Sequence, residues 1–186
     1  GPVEIGKSAR FRATALREGG ENASYSREFA FSKSTGRPAV LNTKPNDSYT
    51  FEGASLLVDG YHSRPVFTSG AWLGYLDEPL DVTIDMGGEQ SYRSVELETL
   101  AEKGDWIFPP SSVTVWVSDN GTDFTEVASV AVPEAKAGDA DGIGRYRMQF
   151  PETSARYLKV VAQNAAAIPA WHPGAGSKGF LFVDEV

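Results

Sequence analysis

The sequence predicts an all-β protein, a sandwich or a barrel. Three observations carry this expectation. Short runs alternate apolar and polar residues with period two, Gly, Pro, Asn and Asp break those runs at close intervals, and no window sustains a helical stripe. Many short strands at regular spacing can bury their apolar faces only against a second sheet or by closing on themselves.

The first run is Ala9 to Leu16, followed by the turn-rich segment Glu18-Gly19-Gly20-Glu21-Asn22. Tyr25, Arg27, Phe29 and Phe31 then share one face of a second strand, so the two runs read as a hairpin. A composition shift near residues 32–37 marks a boundary, which separates a hairpin unit (1–35) from a larger β unit (36–186). Ala39-Val40-Leu41 is a short strand, Lys44-Pro45-Asn46-Asp47 a turn, and Ala54 to Val58 a brief apolar stretch ending at Asp59-Gly60. Val82, Ile84 and Met86 alternate with acids and Thr83, and Val95 and Leu97 alternate with Glu96 and Glu98. Val113, Val115 and Val117 alternate with Thr114, Trp116 and Ser118, which places Trp116 on the outer face or under the hairpin. Tyr146, Met148 and Phe150 share a face, as do Leu158, Val160 and Ala162, and Phe180 with Phe182. Asn120-Gly121 predicts a tight type I′ hairpin turn, since these residues tolerate positive φ. Pro133 to Asp141 reads as a loop.

Composition narrows the function classes. Seventeen basic and 25 acidic residues give a net charge of −8 without a basic stripe, which argues against nucleic acid and anionic membranes and fits a neutral partner. No apolar run approaches the roughly 20 residues of a membrane span, so no membrane insertion is expected. The absence of cysteine removes disulfides, thiolate metal sites and cysteine nucleophiles, and only His62 and His172 could serve as imidazole bases. No phosphate-binding loop or nucleophile elbow is present, and Asp184 and Glu185, neighbours on a strand, point to opposite faces. The chain therefore reads as no enzyme in itself. Gly1-Pro2 has the look of a protease scar, which would leave a native N-terminal address upstream.

Three stretches carry a family resemblance. Val113-Thr-Val-Trp-Val-Ser-Asp-Asn-Gly-Thr-Asp-Phe-Thr-Glu-Val127 resembles the hallmark hairpin of discoidin, or coagulation-factor type C, domains. Leu56-Leu57-Val58-Asp59-Gly60 is similar to the early Asp-Gly loop of that galactose-binding-like family, and Ala155-Arg156-Tyr157-Leu158-Lys159-Val160 to a strand near its end. The three occur in the family's order over residues 38–186. A narrower likeness runs through Trp106-Ile107-Phe108-Pro109-Pro110-Ser111, residues 168–176 and Phe180 to Glu185, which resemble the C-terminal discoidin domain of bacterial family-20 glycoside hydrolases, the β-N-acetylhexosaminidases. The resemblance implies a jelly-roll β-sandwich of about eight strands, preceded by a hairpin remnant of a small β domain. It also implies loops at one end that bind sugar, a structural calcium ion, and a periplasmic or cell-surface parent enzyme whose catalytic domain is a partner.

Sugars bind an aromatic face through their C–H side while a few polar groups fix the hydroxyls. Trp106, after Lys103-Gly104-Asp105, and Trp171-His172, between Pro169 and Pro173, are loop aromatics suited to this; the alternative is that the two indoles pack together and close one end of the sandwich. By residue type, Tyr61, His62 and Arg64 match the family's aromatic, His and Arg sugar ligands; the alternative is a solvated loop. Trp72 reads as core. Asp59 and Glu185 are the calcium candidates, because the family's site joins the early Asp-Gly loop to the C-terminal strand and calcium takes hard oxygen ligands; otherwise each caps or pairs locally. Two functions follow: a module binding terminal galactose, N-acetylgalactosamine or N-acetylglucosamine (GalNAc or GlcNAc), or a packing module of the same enzyme that binds no sugar.

Overall fold

A computed structural model describes residues 6–16, 19–20 and 23–186. Gly1-Pro2, and Glu18, Glu21 and Asn22 of the expected first turn, lie outside the described residues. Strands β1 (Ala9–Ala15) and β2 (Ala23–Phe29) pair antiparallel as a separate two-stranded sheet, with Phe11 opposite Arg27 and Ala13 opposite Tyr25. Nearly every residue of this hairpin is exposed. It touches the rest of the chain at its base, where the Ala30 N–H donates to the Gly60 carbonyl (2.8 Å) and the Arg27 guanidinium stacks 4.5 Å from the centre of the Tyr61 ring.

The remaining strands are β3 (Ala39–Leu41), β4 (Leu73–Tyr75), β5 (Leu80–Ala101), β6 (Ser112–Ser118), β7 (Thr125–Ala131), β8 (Gly142–Gln163) and β9 (Leu181–Val183). They form one continuous antiparallel network in the order β4-β9-β5-β8-β6-β7, with β3 on the outer side of β5. Four short 3-10 turns supply the helical content. β5 and β8 each have 22 residues. A straight strand of that length would run about 70 Å, far beyond the roughly 40 Å breadth of a compact chain this size. Both strands therefore bend, at register shifts between Asp85 and Gln90 and between Tyr92 and Ser94. The sequence reading divides each of these strands in two, because the alternation lapses at the bend; in the structure the halves are continuous.

The local chemistry makes that bend. Gly87 takes φ 76° and its N–H donates to Asp85 Oδ1 at 2.9 Å. Arg156 grips both oxygens of Asp85 (2.9 and 2.8 Å) and holds that carboxyl down at about 2. Bending folds the network into two layers. One holds β3, the first half of β5, the second half of β8, β6 and β7; the other holds β4, β9 and the remaining halves. Val82, Ile84, Leu97, Val113, Val115, Met148, Val160, Leu181 and Val183 meet between the layers in one core. Fully burying each such side chain contributes about 1.5–3 kcal/mol. This is the all-β jelly-roll sandwich of the expectation.

Two local readings change. The loop after β6 is not a type I′ turn: Asn120 keeps negative φ and only Gly121 is left-handed, at 77°. Instead Asn120 Oδ1 accepts the N–H groups of Thr122 and Asp123 (2.9 Å each), an Asx turn that spreads the connection over residues 119–124. The stretch before Asp59 is a 3-10 turn, Gly53–Val58, that buries Leu56, Leu57 and Val58. Gly74 in β4 marks a close approach, since a Cβ there would lie 2.8 Å from Tyr49 Cβ and 2.9 Å from Phe182 Cζ. Gly74→Ala is expected to destabilise by about 1–3 kcal/mol, read as a lower urea midpoint at unchanged m.

Candidate functional site

Five of the six expected sugar ligands fall into two places, and Arg64 stands apart. Trp106, Trp171 and His172 come together. The loops that carry them, 102–107 and 168–177, are joined to β9 where Ile107 bridges Phe180 and the Trp106 carbonyl accepts the Phe180 N–H at 2.8 Å. The His172 ring stands nearly perpendicular to Trp106, Trp171 and Phe108, at centroid distances of 6.0, 5.5 and 5.5 Å. Each indole keeps a large exposed area, 42% for Trp106 and 39% for Trp171. Neither is free to swing. A Cβ on Gly174 would meet the Trp106 ring at 2.8 Å, so the indole lies directly on the Gly174 backbone. The Trp171 Nε1–H donates to the Ala135 carbonyl at 2.9 Å.

Trp106 also takes a left-handed backbone, φ 65°, rare for a bulky residue and costing of order 1–2 kcal/mol. Its N–H donates to the Lys103 carbonyl at 3.0 Å, which fixes that turn. Phe51, also exposed, is the other non-glycine residue with positive φ among the described residues, at 35°. Glu102 and Asp105 flank the turn, and burial raises the Glu102 carboxyl above its ordinary range.

His172 braces this cluster and has no nitrogen left for a ligand. Its Nε2 lies 2.9 Å from the Lys103 carbonyl, and its Nδ1 accepts the Gly174 N–H at 3.0 Å. Those partners require the neutral ring with hydrogen on Nε2. The direct contact with sugar expected of His172 is therefore one that neither ring nitrogen is free to make.

The second place holds Tyr61 and His62 under the hairpin. Tyr61 packs against Phe29 and Arg27. His62 Nδ1 lies 2.9 Å from Glu98 Oε2, which also accepts from Arg145 Nε at 2.8 Å. Arg64 is exposed, and its carbonyl accepts the Trp72 Nε1–H at 3.1 Å. The structure does not bring these three residues onto the two indoles. His62 meets Glu98 within β5, whereas His172 meets Lys103 in the turn beyond the end of that strand. Trp72 is core as expected, fully buried. Trp116 is half-buried on the outer face of β6, where it lines a groove with Phe124 and Lys159.

Acids gather around the 59–63 loop. Asp59 Oδ1 accepts the Tyr61 N–H (2.7 Å), Asp184 Oδ2 the Ser63 N–H (2.8 Å), and Glu185 Oε1 the Gly60 N–H (3.1 Å). Glu185 Oε2 and Glu98 Oε1 are buried without a partner among the described residues. Burial pushes the carboxyls of Asp184 and Glu185 each up to about 8, and raises Asp59. Among the described residues no three His, Cys, Asp or Glu side chains are arranged to hold a metal ion. Sequence reasoning paired Asp59 with Glu185, missed Glu98, and set Asp184 and Glu185 on opposite faces of a strand; the two instead follow the end of β9 and both accept from the 59–63 loop.

A cavity of about 630 Å³ lies at this second place, between the 30–34 linker and the bend of β5 and β8. A smaller groove of about 350 Å³, lined by Phe108, Pro110, Pro133, Ala135 and Ala170, runs beside Trp171. Cavity size favours the second place. The half-exposed aromatic rings favour the first, since an open ring face is what the C–H side of a sugar packs on.

No curated protein matches the chain in sequence. Solved structures do match in fold. CpGH89CBM32-5 from Clostridium perfringens, solved in complex with GalNAc-β-1,3-galactose, is 16% identical, with 80% of this chain and 91% of that chain covered at a TM-score of 0.52. Chitosan-binding module 2 of a Paenibacillus sp. IK-5 chitosanase/glucanase, solved with chitotriose, is 17% identical, with coverages of 83% and 96% and a TM-score of 0.51. The family 32 CBM of C. perfringens NanJ, solved with galactose, is 16% identical, with coverages of 80% and 89% and a TM-score of 0.50. The family model described as F5/8 type C domain matches residues 41–178, spanning the early turn, both long strands and both tryptophan loops. The chain belongs to the F5/8 type C, or discoidin, domain family.

Proposed function

We propose that this chain is a non-catalytic carbohydrate-binding module whose Trp106 and Trp171 hold a terminal galactose, N-acetylgalactosamine or N-acetylglucosamine. The observation that carries the reading is the pair of half-exposed indoles, each immobilised from behind and one on a strained backbone. Rigid rings lose little freedom on binding, so their contact area is converted into affinity efficiently. Glu102 and Asp105 beside Trp106 supply acceptors for sugar hydroxyls. The fold neighbours, solved with galactose, a GalNAc-galactose disaccharide and chitotriose, support the ligand class. Titrating galactose, GalNAc and GlcNAc against tryptophan emission should give a saturable change for at least one sugar, with Kd between about 10 μM and 1 mM, as a ligand of few atoms allows. Flat titrations for all three would overturn the reading.

A structural calcium ion is proposed on Asp59 and Glu185. The residues fit: two carboxylates flank a glycine turn, and one buried Glu185 oxygen lacks any donor among the described residues. Backbone carbonyls would complete the shell. Bound there, the ion would neutralise carboxylates that burial disfavours as anions. Calcium at about a hundred times its Kd should stabilise by about 2.7 kcal/mol, raising Tm by about 5–10 °C in a chain of this length. EDTA should reverse the rise and Glu185→Gln should abolish it; a Tm indifferent to calcium would remove the ion from the account.

The module would serve a β-N-acetylhexosaminidase-type glycoside hydrolase in the periplasm or at the cell surface, raising the local concentration of glycan at the catalytic domain. No helix of the described residues is long and apolar enough to cross a membrane. Residues 1–35 would be the end of a preceding β domain. An isolated two-stranded hairpin is marginal by itself, and β1 and β2 expose Phe11 and Tyr25. That exposure also favours a second reading, a packing module without sugar binding, which silent titrations would promote.

A further inference from the structure

Lys103 is an unusual residue in this domain, a lysine whose side chain is only 9% exposed. An ammonium out of water must be paired and hydrogen-bonded or it destabilises the fold. Its Nζ donates to the Asp139 carbonyl at 2.9 Å and is paired with Asp141. The same Asp141 oxygen accepts the Lys103 backbone N–H at 3.1 Å, so one carboxylate grips the residue by main chain and side chain together. The pairing with Lys103 in turn holds the Asp141 carboxyl below its ordinary range. The Lys103 carbonyl accepts from the Trp106 N–H (3.0 Å) and meets His172 Nε2 (2.9 Å).

These contacts join three loops at one residue. The 102–107 loop carries Trp106. The 168–177 loop carries Trp171 and is tied in through His172. The 135–141 loop closes the circuit, because Lys136 and Asp139 bond each other's backbone and Ala135 receives the Trp171 indole N–H. Trp106 and Trp171 do not pair directly as rings; both instead lean on His172.

We infer that Lys103 is the positioning residue of the glycan-binding face, setting the Trp106 and Trp171 rings in their working arrangement through Asp141 and His172. The inference rests on the proposed binding reading for its consequence, but the coupling of the three loops stands apart from any ligand. Lys103→Met is the informative variant, since it removes the charge, keeps the length, and leaves Asp141, which is half exposed, able to hydrate.

Two measurements test it, with Val115→Ala in the core as a control for general destabilisation. In hydrogen exchange, Lys103→Met should raise amide exchange in 102–107, 135–141 and 168–177 together by tenfold or more, while β5 and β8 core amides change no more than in the control. Exchange unchanged in the second and third loops would overturn the proposal. For a sugar bound by the wild type, Lys103→Met should weaken affinity five- to tenfold, and Val115→Ala less than twofold. In a Trp106→Ala/Trp171→Ala background, any residual affinity should not fall further with Lys103→Met. Equal losses for Lys103→Met and the control would reduce Lys103 to a stabilising residue and end its positioning role. If the wild type binds none of the sugars but the three loops still loosen together, the glycan reading fails and the clamp survives.

Discussion

Trp171→Ala should weaken glycan binding by more than tenfold while leaving the fold intact. The ring contributes a half-exposed face at a loop, and truncating a central aromatic anchor commonly costs 2 kcal/mol or more, about thirtyfold in affinity. Little stability should go with it, since the ring is half exposed and packs on the rings of His172 and Phe108 at the edge of the domain, with one hydrogen bond to the Ala135 carbonyl. Trp106 sharpens the case. Trp106→Gly removes the ring and also relieves the left-handed backbone. Binding should fall as far as in Trp171→Ala, whereas unfolding free energy should stay within about 1 kcal/mol of wild type, relief of strain offsetting lost packing on Gly174. Calorimetric titration and urea denaturation of the same samples separate the two effects. Binding retained in both variants would move the site elsewhere.

The second large effect is on stability. Trp72 is fully buried among Leu100, Ile107 and Phe182, and its indole N–H satisfies the Arg64 carbonyl. Trp72→Ala should cost about 3–5 kcal/mol, the range for deleting a buried aromatic, and lower Tm by about 6–20 °C. It removes the wedge between β9, the end of β5 and the 64–72 loop, so the deficit should appear as a lower urea midpoint. A loss below about 1 kcal/mol would mean the cluster collapses around the vacancy and is not close-packed.

How much of this was legible in the sequence differs by level. The inward valines of β6 and the Val82-Ile84 and Val95-Leu97 alternations point to a β-sandwich directly, because period-two burial leaves a period-two sequence. The union of those two runs into one bent strand is not legible, since the bulge at Gly87-Gly88 resembles a turn. The Asn120 loop misleads for a related reason: Asn-Gly suits both a type I′ turn and an Asx turn, and only the number of residues between β6 and β7 separates them. At the site, Trp106 and Trp171 stand out as aromatics among prolines and glycines. Their support is invisible, because the Lys103 ammonium, the His172 ring and the Trp171 indole are met largely by backbone carbonyls that any residue could offer, and Asp141 lies far from Lys103 in sequence. Tyr61, His62 and Arg64 match a ligand set by type, yet Tyr61 and His62 are turned to the hairpin and to Glu98 by contacts more than thirty residues away in sequence.

The most direct test of the central claim follows the four tryptophan indole N–H signals by NMR as GalNAc, GlcNAc or galactose is added to the protein. Trp106 and Trp171 should shift progressively and saturate together, while Trp72 in the core and Trp116 on the outer face stay still. Shifts confined to Trp72 or Trp116, or no indole shift with any of the three sugars, would contradict the assignment of this face as a carbohydrate-binding surface.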